Sequence, residues 1–201
     1  MVFPAGSVGQ MPTPPKDRSA DTAVPLHPPI ATRWSPRAFD REVVRVAEDL
    51  IALLEAARWS ATWGAVQPVR FLAGRRGDQT FAALAALLRR GNSYATAASA
   101  LILVCADEGE DERTALYSAV DAGAAMANLA IEAVSRGLQA HPMAGFDVSG
   151  AGDLTPGLRS LAIVAVGSLA DYAAVSEEVA ERDARPRTRL PLEQIVLNWP
   201  L

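Results

Sequence analysis

Apolar residues recur with helical spacing in two long stretches of the chain. The first follows Asp40, where apolar positions return every three or four residues: Val43, Ala47, Leu50, Leu54 and Ala57. The second runs from about Asp111 to Arg136, and Gly137 is placed to end it. Its middle, DAGAAMANLA, consists almost entirely of small residues. We expect this helix to be buried on most sides, either centrally in the domain or against a second subunit.

Three short segments have the composition of β-strands. VRFLA (69–73) ends at Gly74, and LAIVAV (161–166) follows a loop rich in glycine and aspartate. LILVCA (101–106) is a continuous apolar run, which predicts a strand covered on both faces with Cys105 in the core. Between the strands at 69–73 and 101–106, Asp78 offers an N-cap for a helix that continues to Leu88 and is closed by Gly91. This alternation predicts one domain of mixed α and β class with about three to five strands.

Both ends of the chain differ from this pattern. Residues 1–31 contain half of the 14 prolines and show no periodicity, so we predict neither helix nor strand there. Beyond Gly167 the chain becomes polar and ends in a short apolar tip: Ile195, Val196, Leu197, Trp199 and Leu201. The tip is too short to bury itself, and we expect it to dock on a partner subunit.

Composition excludes several classes of protein. With 201 residues, 50% hydrophobic, 21% charged and a net charge of −4, the chain has the balance of an ordinary globular domain. A single cysteine cannot form an internal disulfide, and no apolar run reaches the roughly 20 residues of a membrane span. The N-terminus lacks the features of a signal peptide. We therefore expect a cytoplasmic protein with no membrane partner.

Familiar catalytic motifs are missing from the sequence. His27, His141 and Cys105 are too far apart to form a metal-ligand pattern, and the G-x-S-x-G elbow of a serine hydrolase is absent. We interpret His141 as an ordinary strand-end residue. The acidic balance and the lack of a basic stripe argue against a nucleic-acid surface.

Arginine use is unusual, since all of the 19 basic residues except Lys16 are arginine. GC-rich coding favours arginine, and we interpret most of these residues as solvated surface residues. Two clusters stand apart, RWSPR (33–37) and RPRTR (185–189). In an extended chain, successive side chains point to opposite sides. Arg33, Ser35 and Arg37 would therefore share one side, and Arg187 and Arg189 would also share a side. Guanidinium groups beside a hydroxyl suit a dianionic phosphate, although an arginine pair in a polar tail is more often simply solvated.

Six segments, taken in order, resemble motifs of the FMN-dependent nitroreductase family from His27 to Val196. The matching segments are RWSPRAF (33–39), SATWGAVQPV (60–69), Asn92, the Asp121, Gly123, Asn128 and Leu129 set, the Pro142, Gly145, Phe146 and Asp147 set, and Arg187 and Arg189 before Leu190 and Pro191. The resemblance implies an α+β fold in which helices flank a mixed sheet. It also implies an intertwined homodimer with extended terminal arms, in which each FMN lies at the subunit interface.

Under this resemblance, residues 1–31 form a Pro-rich N-terminal arm, 32–172 the FMN-binding domain, and 173–201 an arm that completes the flavin site and the dimer. Arg33, Ser35, Arg187 and Arg189 would hold the phosphate and ribityl end, while Arg37 and Asn92 would reach the pyrimidine side of the ring. The partner subunit would supply Thr62, Trp63, Gly64 and Gln67. The full set of implied cofactor-binding residues is Arg33, Trp34, Ser35, Arg37, Thr62, Trp63, Gly64, Gln67, Asn92, Pro142, Met143, Ala144, Gly145, Arg187 and Arg189.

The resemblance further implies a ping-pong oxidoreductase with no catalytic side chain. NADH or NADPH would deliver hydride to the flavin, and a nitroaromatic, a quinone or a similar electrophilic acceptor would then take it. A backbone N–H of the loop from Pro142 to Gly145 would lie near the nitrogen that accepts hydride. No metal is implied.

The SATWGAV segment departs from the family pattern. Ala61, Thr62, Ala65 and Val69 stand where the family has Pro, Ser, Asn and Trp. Trp63 would stack near the flavin, narrow the substrate space or pack at the interface. Two alternatives therefore remain: a flavin-binding sensor or storage protein without efficient turnover, and a dimeric structural protein without FMN.

Overall fold

The structure is a computed structural model and describes residues 18–44 and 47–200. Lys16, the prolines up to Pro15 and Leu201 lie outside this part. The described helices are α1 (Pro28–Thr32), α2 (Ala47–Arg58), α3 (Gln79–Ala86), α4 (Glu112–Ser135), α5 (Val148–Leu154), α6 (Glu177–Ala184) and α7 (Leu192–Ile195). The strands are β1 (Val69–Arg75), β2 (Ala100–Ala106), β3 (Gln139–Met143) and β4 (Arg159–Gly167). Short 3-10 helices span Arg90–Ala97 and Tyr172–Ala174.

The four strands form one sheet in the order β1-β2-β4-β3, and each neighbouring pair runs antiparallel. The α+β class is confirmed, but within the described residues the sheet is antiparallel rather than mixed. Helix α4 returns the chain so that β3 runs in the same direction as β2. Because β4 inserts between these two strands and pairs with both, no parallel pair forms.

Helices cover the sheet on both faces. Ile102, Val104 and Val164 pack against α2 and α4, whereas Leu101, Leu103 and Ile163 pack against α3, α5 and the first 3-10 helix. Every residue of β2 is buried, as the continuous apolar run predicts, and Cys105 lies in the core. We refer to the two sides as the α2/α4 layer and the α3/α5 layer.

Several predicted helix ends are confirmed by capping contacts. The Asp78 carboxylate accepts the N–H of Phe81 at the start of α3. Asp111 accepts the N–H groups of Arg113 and Thr114 at the start of α4, and Gly137 has a φ of +70° just after its end. Helix α3 ends earlier than predicted, at Ala86, because Leu88 and Arg89 pair with Phe146 and Gly145 instead of continuing the helix.

Helix α2 begins later than the spacing of apolar residues predicts, at Ala47 instead of near Asp40. Asp40 forms a local turn by accepting the N–H of Glu42. The carbonyl of Val43 accepts hydrogen bonds from Arg76 and Ser99, which tie this segment to the rest of the fold. Tertiary contacts therefore override the helical periodicity between residues 40 and 44.

The prediction of no helix in residues 1–31 is wrong for its last residues, and the strand that contains His141 continues past it to Met143. Pro28 and Pro29 occupy the first positions of α1, where a missing N–H costs nothing. Strand β3 contains Pro142 and the polar Gln139, which obscure the alternation typical of a strand. The sheet tolerates Pro142 because β3 lies at its edge.

Candidate functional site

The three arginines predicted to bind the phosphate lie together. Arg33 directly follows α1, and Arg187 and Arg189 lie on the chain after α6. One terminal nitrogen of Arg187, Nη2, donates to the main-chain oxygen of Arg33 at 2.9 Å. Burial, followed by the charge of Arg189, lowers the pKa of Arg33. The structure thus brings the two ends of the chain to one basic site.

A fourth arginine belongs to the same group. The carbonyl of Arg18 accepts a hydrogen bond from Nη1 of Arg187. The guanidinium of Arg18 donates to the carbonyl of Arg185 at 3.0 Å and lies 4.6 Å from the centre of the Trp34 ring. Burial lowers the pKa of Arg187, and the charges of Arg33, Arg18 and Arg189 lower it further. We call these four residues the basic cluster.

The positive charge of the basic cluster is not neutralised by carboxylates. Within residues 18–44 and 47–200, each ion pair joins other residues, and no member of the cluster takes part in one. Four guanidinium groups in this setting provide many N–H donors and excess positive charge. Such a site suits an anion with several oxygens and more than one negative charge, such as a phosphate monoester.

A buried carboxylate joins the RWSPR segment to α6. Asp183 has a fully buried side chain and accepts the N–H of Arg37 at 2.8 Å, the N–H of Ala38 at 3.1 Å and the hydroxyl of Tyr172 at 3.1 Å. Because Arg187 follows α6 by only a few residues, these bonds fix the two arginine segments relative to each other. No family motif drew attention to Asp183 in the sequence.

Arg37 does not face the basic cluster, although alternation predicted that Arg33, Ser35 and Arg37 share one side. Its Nη1 lies 3.4 Å from Asp183, and its guanidinium lies 5.8 Å from the centre of the Tyr94 ring. Its Nε is buried without a hydrogen-bond partner among the described residues. Ser35 is half-buried and Trp34 is buried. The Trp34 side chain therefore serves packing beneath Arg18.

His141 and Tyr94 form a polar pair beside Arg37. His141 lies in the middle of β3, not at its end as predicted, and its Nδ1 donates to the carbonyl of Pro36 at 2.8 Å. Its Nε2 then accepts from the Tyr94 hydroxyl at 3.2 Å. Burial lowers the pKa of His141 and raises the pKa of Tyr94 to about 12, so both are neutral near pH 7. The pair holds the RWSPR segment against the sheet.

Asn92 contacts the loop that follows β3. The side-chain nitrogen of Asn92 donates to the carbonyl of Gly145 at 2.8 Å. A Cβ at position 145 would lie 2.6 Å from that nitrogen, so this approach requires glycine. Pro142 and Ala144 are exposed, whereas Met143 points into the core. Only the backbone of Met143 is therefore available to a ligand.

The segment from Thr62 to Gln67 lies elsewhere in the single chain. The N–H of Trp63 donates to both carboxylate oxygens of Asp121 in α4 at 3.1 Å. Its ring stacks on Tyr117, with centroids 4.2 Å apart and planes 12° apart, and remains 43% exposed. Gly64 has a φ of +59°, which closes the turn. These contacts place the segment in the α2/α4 layer.

Asn92 and Gly145 lie in the opposite, α3/α5 layer, where Phe146 packs into the core and bridges to Leu88. One copy of the chain therefore separates the predicted site into two parts. Arg182 of α6 donates to the carbonyl of Gly91 at 3.0 Å and faces Tyr94, which joins α6 to the 3-10 helix that contains Asn92. The Thr62–Gln67 part is joined to α4 instead.

The described residues offer no group of three or more His, Cys, Asp or Glu side chains arranged to hold a metal ion. Among these same residues, none of the helices has the length and hydropathy needed to cross a bilayer.

Comparisons with known proteins agree with this architecture. The model of the nitroreductase family matches residues 30–101. A solved structure described as an oxidoreductase containing FMN is 31% identical, with a TM-score of 0.81 over 89% of this chain and 94% of that chain. A protein from Desulfovibrio desulfuricans, described as a nitroreductase in complex with FMN, is 26% identical, with a TM-score of 0.70 over 90% of this chain and 99% of that chain. An uncharacterised 15.4 kDa protein of Mycolicibacterium smegmatis is 65% identical over 140 residues, which are 65% of this chain and 95% of that protein.

Replacing Asp183 with Asn tests the role of the buried carboxylate. The amide would turn its NH₂ group towards backbone donors and lose its charge opposite Arg37. We expect the free energy of unfolding to fall by about 2–4 kcal/mol, measured by urea denaturation. The matched control is Asp153→Asn, an exposed position in α5 where we expect a change below about 0.5 kcal/mol. Equal effects of the two substitutions would contradict the assignment.

Proposed function

Because this chain belongs to the nitroreductase family, we propose that it is an FMN-dependent NAD(P)H oxidoreductase for nitroaromatic, quinone or similar electrophilic acceptors. The observation that carries the proposal is the convergence of Arg33, Arg187 and Arg189 from opposite ends of the chain, without carboxylate partners among the described residues. When bound, FMN supplies a ring that accepts hydride from a reduced nicotinamide and passes it to a second substrate.

The residues present fit the phosphate of FMN. The members of the basic cluster donate N–H groups only, and a phosphate monoester accepts only through its oxygens near neutral pH. The lowered pKa of Arg187 has burial and neighbouring positive charges as its causes, both of which a bound dianion would offset. We assign Arg33, Arg187 and Arg189 to the phosphate end, with Ser35 beside them.

The remaining residues would bind and orient the ring. Asn92, Ala144 and Gly145 form a surface of which Ala144 is exposed and the other two residues are half-buried, and the 2.8 Å hydrogen bond between Asn92 and Gly145 sets its shape. Arg37 keeps a buried Nε without a partner among the described residues, which leaves a cationic donor for the pyrimidine side. A fixed cation there stabilises negative charge that develops on reduction. No side chain needs to transfer a proton in this scheme.

We also propose that the active form is a homodimer in which Thr62, Trp63, Gly64 and Gln67 of one copy complete the site of the other. Leu116 and Val120 on α4 are 63% and 60% exposed in the single chain, and Leu197 is fully exposed. Contiguous exposed apolar surface marks an interaction site. A groove of about 640 Å³ beside the edge strand β1 has the apolar residues Ile51, Leu54 and Phe71 in its lining and fits the apolar tip of the C-terminal arm of a second copy.

The redox test uses the purified full-length protein. We expect it to take up FMN and the flavin absorbance to disappear when NADH or NADPH is added without oxygen. Adding a quinone or a nitroaromatic compound should then restore the absorbance. Protein that takes up no FMN would contradict the proposal. Bound flavin that stays oxidised with both nicotinamides would instead favour a sensor or storage protein, the alternative that the altered SATWGAV segment suggests.

Arg33→Ala tests the phosphate assignment. Losing one charge-assisted contact should weaken FMN binding by about 10- to 100-fold and leave riboflavin, which lacks the phosphate, nearly unaffected. Flavin fluorescence titration measures both affinities. The control is Arg159→Ala, which removes the same charge from an exposed pair with Glu108. Similar losses for FMN and riboflavin would show that Arg33 does not hold the phosphate.

Val120→Arg tests the dimer. A charge placed on the exposed face of α4 would have to be buried between two copies, so we expect the variant to sediment as a monomer and to lose bound FMN. The matched control is Val148→Arg, at a position 54% exposed in the α3/α5 layer, which should remain dimeric. Analytical ultracentrifugation distinguishes the two. Wild-type protein that is monomeric at micromolar concentration would overturn this part of the proposal.

A further inference from the structure

The family motifs do not include Arg18, which reaches the basic cluster from the N-terminal segment. Its carbonyl and that of Arg33 both accept hydrogen bonds from the guanidinium of Arg187. The two carbonyls belong to segments that are themselves joined, since the N–H of Ala20 donates to the carbonyl of Ala31 at 2.8 Å. The N-terminal segment therefore forms part of the support that orients Arg187.

The side chain of Arg18 is itself held in place. Its guanidinium donates to the carbonyl of Arg185 and lies 4.6 Å from the centre of the buried Trp34 ring. Cation–π contact of this kind restricts a side chain that is otherwise flexible. The Nε of Arg18 is buried and has no hydrogen-bond partner among the described residues. Arg18 therefore keeps one N–H donor without a partner among the described residues, and it lies in a cluster whose positive charge no carboxylate of this part of the chain offsets.

We propose that Arg18 is a positioning residue of the phosphate site: its main-chain carbonyl orients Arg187, and its guanidinium adds a fourth positive charge so that the site selects a phosphorylated flavin. This inference rests on the proposed function. An arginine with a purely structural role would be stabilised most by a carboxylate partner. Arg18 instead contacts carbonyls and an aromatic ring and lies near other guanidinium groups, an arrangement that costs energy in the free protein and that a bound dianion relieves.

The test compares Arg18→Ala, Arg18→Lys and the control Arg185→Ala in the full chain. Arg185 lies in the same tail with an exposed side chain, and its substitution removes an equal charge. For Arg18→Ala we expect about a tenfold weaker affinity for FMN and a change below about twofold for riboflavin. Arg18→Lys should recover part of the loss because it keeps the charge but not the planar fork. The loss should shrink as salt is added.

A structural role predicts a different set of results. If Arg18 only supported the fold, Arg18→Ala would lower the melting temperature of the flavin-free protein and weaken FMN and riboflavin equally. We expect instead an unchanged or higher melting temperature without flavin, because repulsion is removed. Equal losses for both flavins, or no loss of FMN affinity, would overturn the inference.

The outcome also separates this inference from the proposed function. If wild-type protein binds FMN and Arg33→Ala loses affinity while Arg18→Ala does not, only the inference about Arg18 fails. If wild-type protein takes up no FMN, inorganic phosphate serves as the probe in a thermal-shift assay. Stabilisation by phosphate that depends on Arg18 would keep the anion site and reject the flavin proposal. No stabilisation by phosphate would reject both.

Discussion

The arrangement of the site depends on the carboxylate of Asp183, which has no exposed side-chain surface and accepts from two main-chain N–H groups, one phenol and one guanidinium. A buried anion is tolerated only when several donors surround it, and the donors here come from two distant parts of the chain. Satisfying this one group therefore fixes the RWSPR segment against α6. Arg33 and Arg187 lie a few residues beyond this contact on either side, so their meeting follows from it.

The basic cluster has the opposite electrostatic character. Asp183 is an anion saturated with donors, whereas Arg18, Arg33, Arg187 and Arg189 are cations placed together without carboxylates in the described part of the chain. Their mutual repulsion lowers the free energy of unfolding when no ligand is bound. An anion that binds only the folded form raises the free energy of unfolding again by mass action. Under the proposed function, binding of the flavin phosphate would therefore raise the free energy of unfolding. The saturated carboxylate supplies the rigidity that keeps the unsaturated cluster together.

Much of the fold and part of the site could be predicted from the sequence. Asp78 and Asp111 cap helices, and the run from Leu101 to Ala106 is a buried strand, because these signals are local. The bounds of strand β3 were not predicted because Pro142 breaks its pattern, and α2 begins late because tertiary contacts hold Val43. The family motifs indicated Arg33, Arg187, Asn92 and Gly145. Asp183, Tyr94 and Arg18 have no short-range signature, since their roles arise only from contacts between distant segments.

One consequence of the contact between Asn92 and Gly145 concerns how this sequence can change. A side chain at position 145 would collide with the amide of Asn92 at 2.6 Å, and a shorter residue at position 92 would leave the Gly145 carbonyl with the N–H of Arg89 but without its side-chain donor. Neither position can be altered alone without loss, although the two are 53 residues apart. The two positions are therefore expected to change together in evolution, so related sequences should keep both residues or replace both.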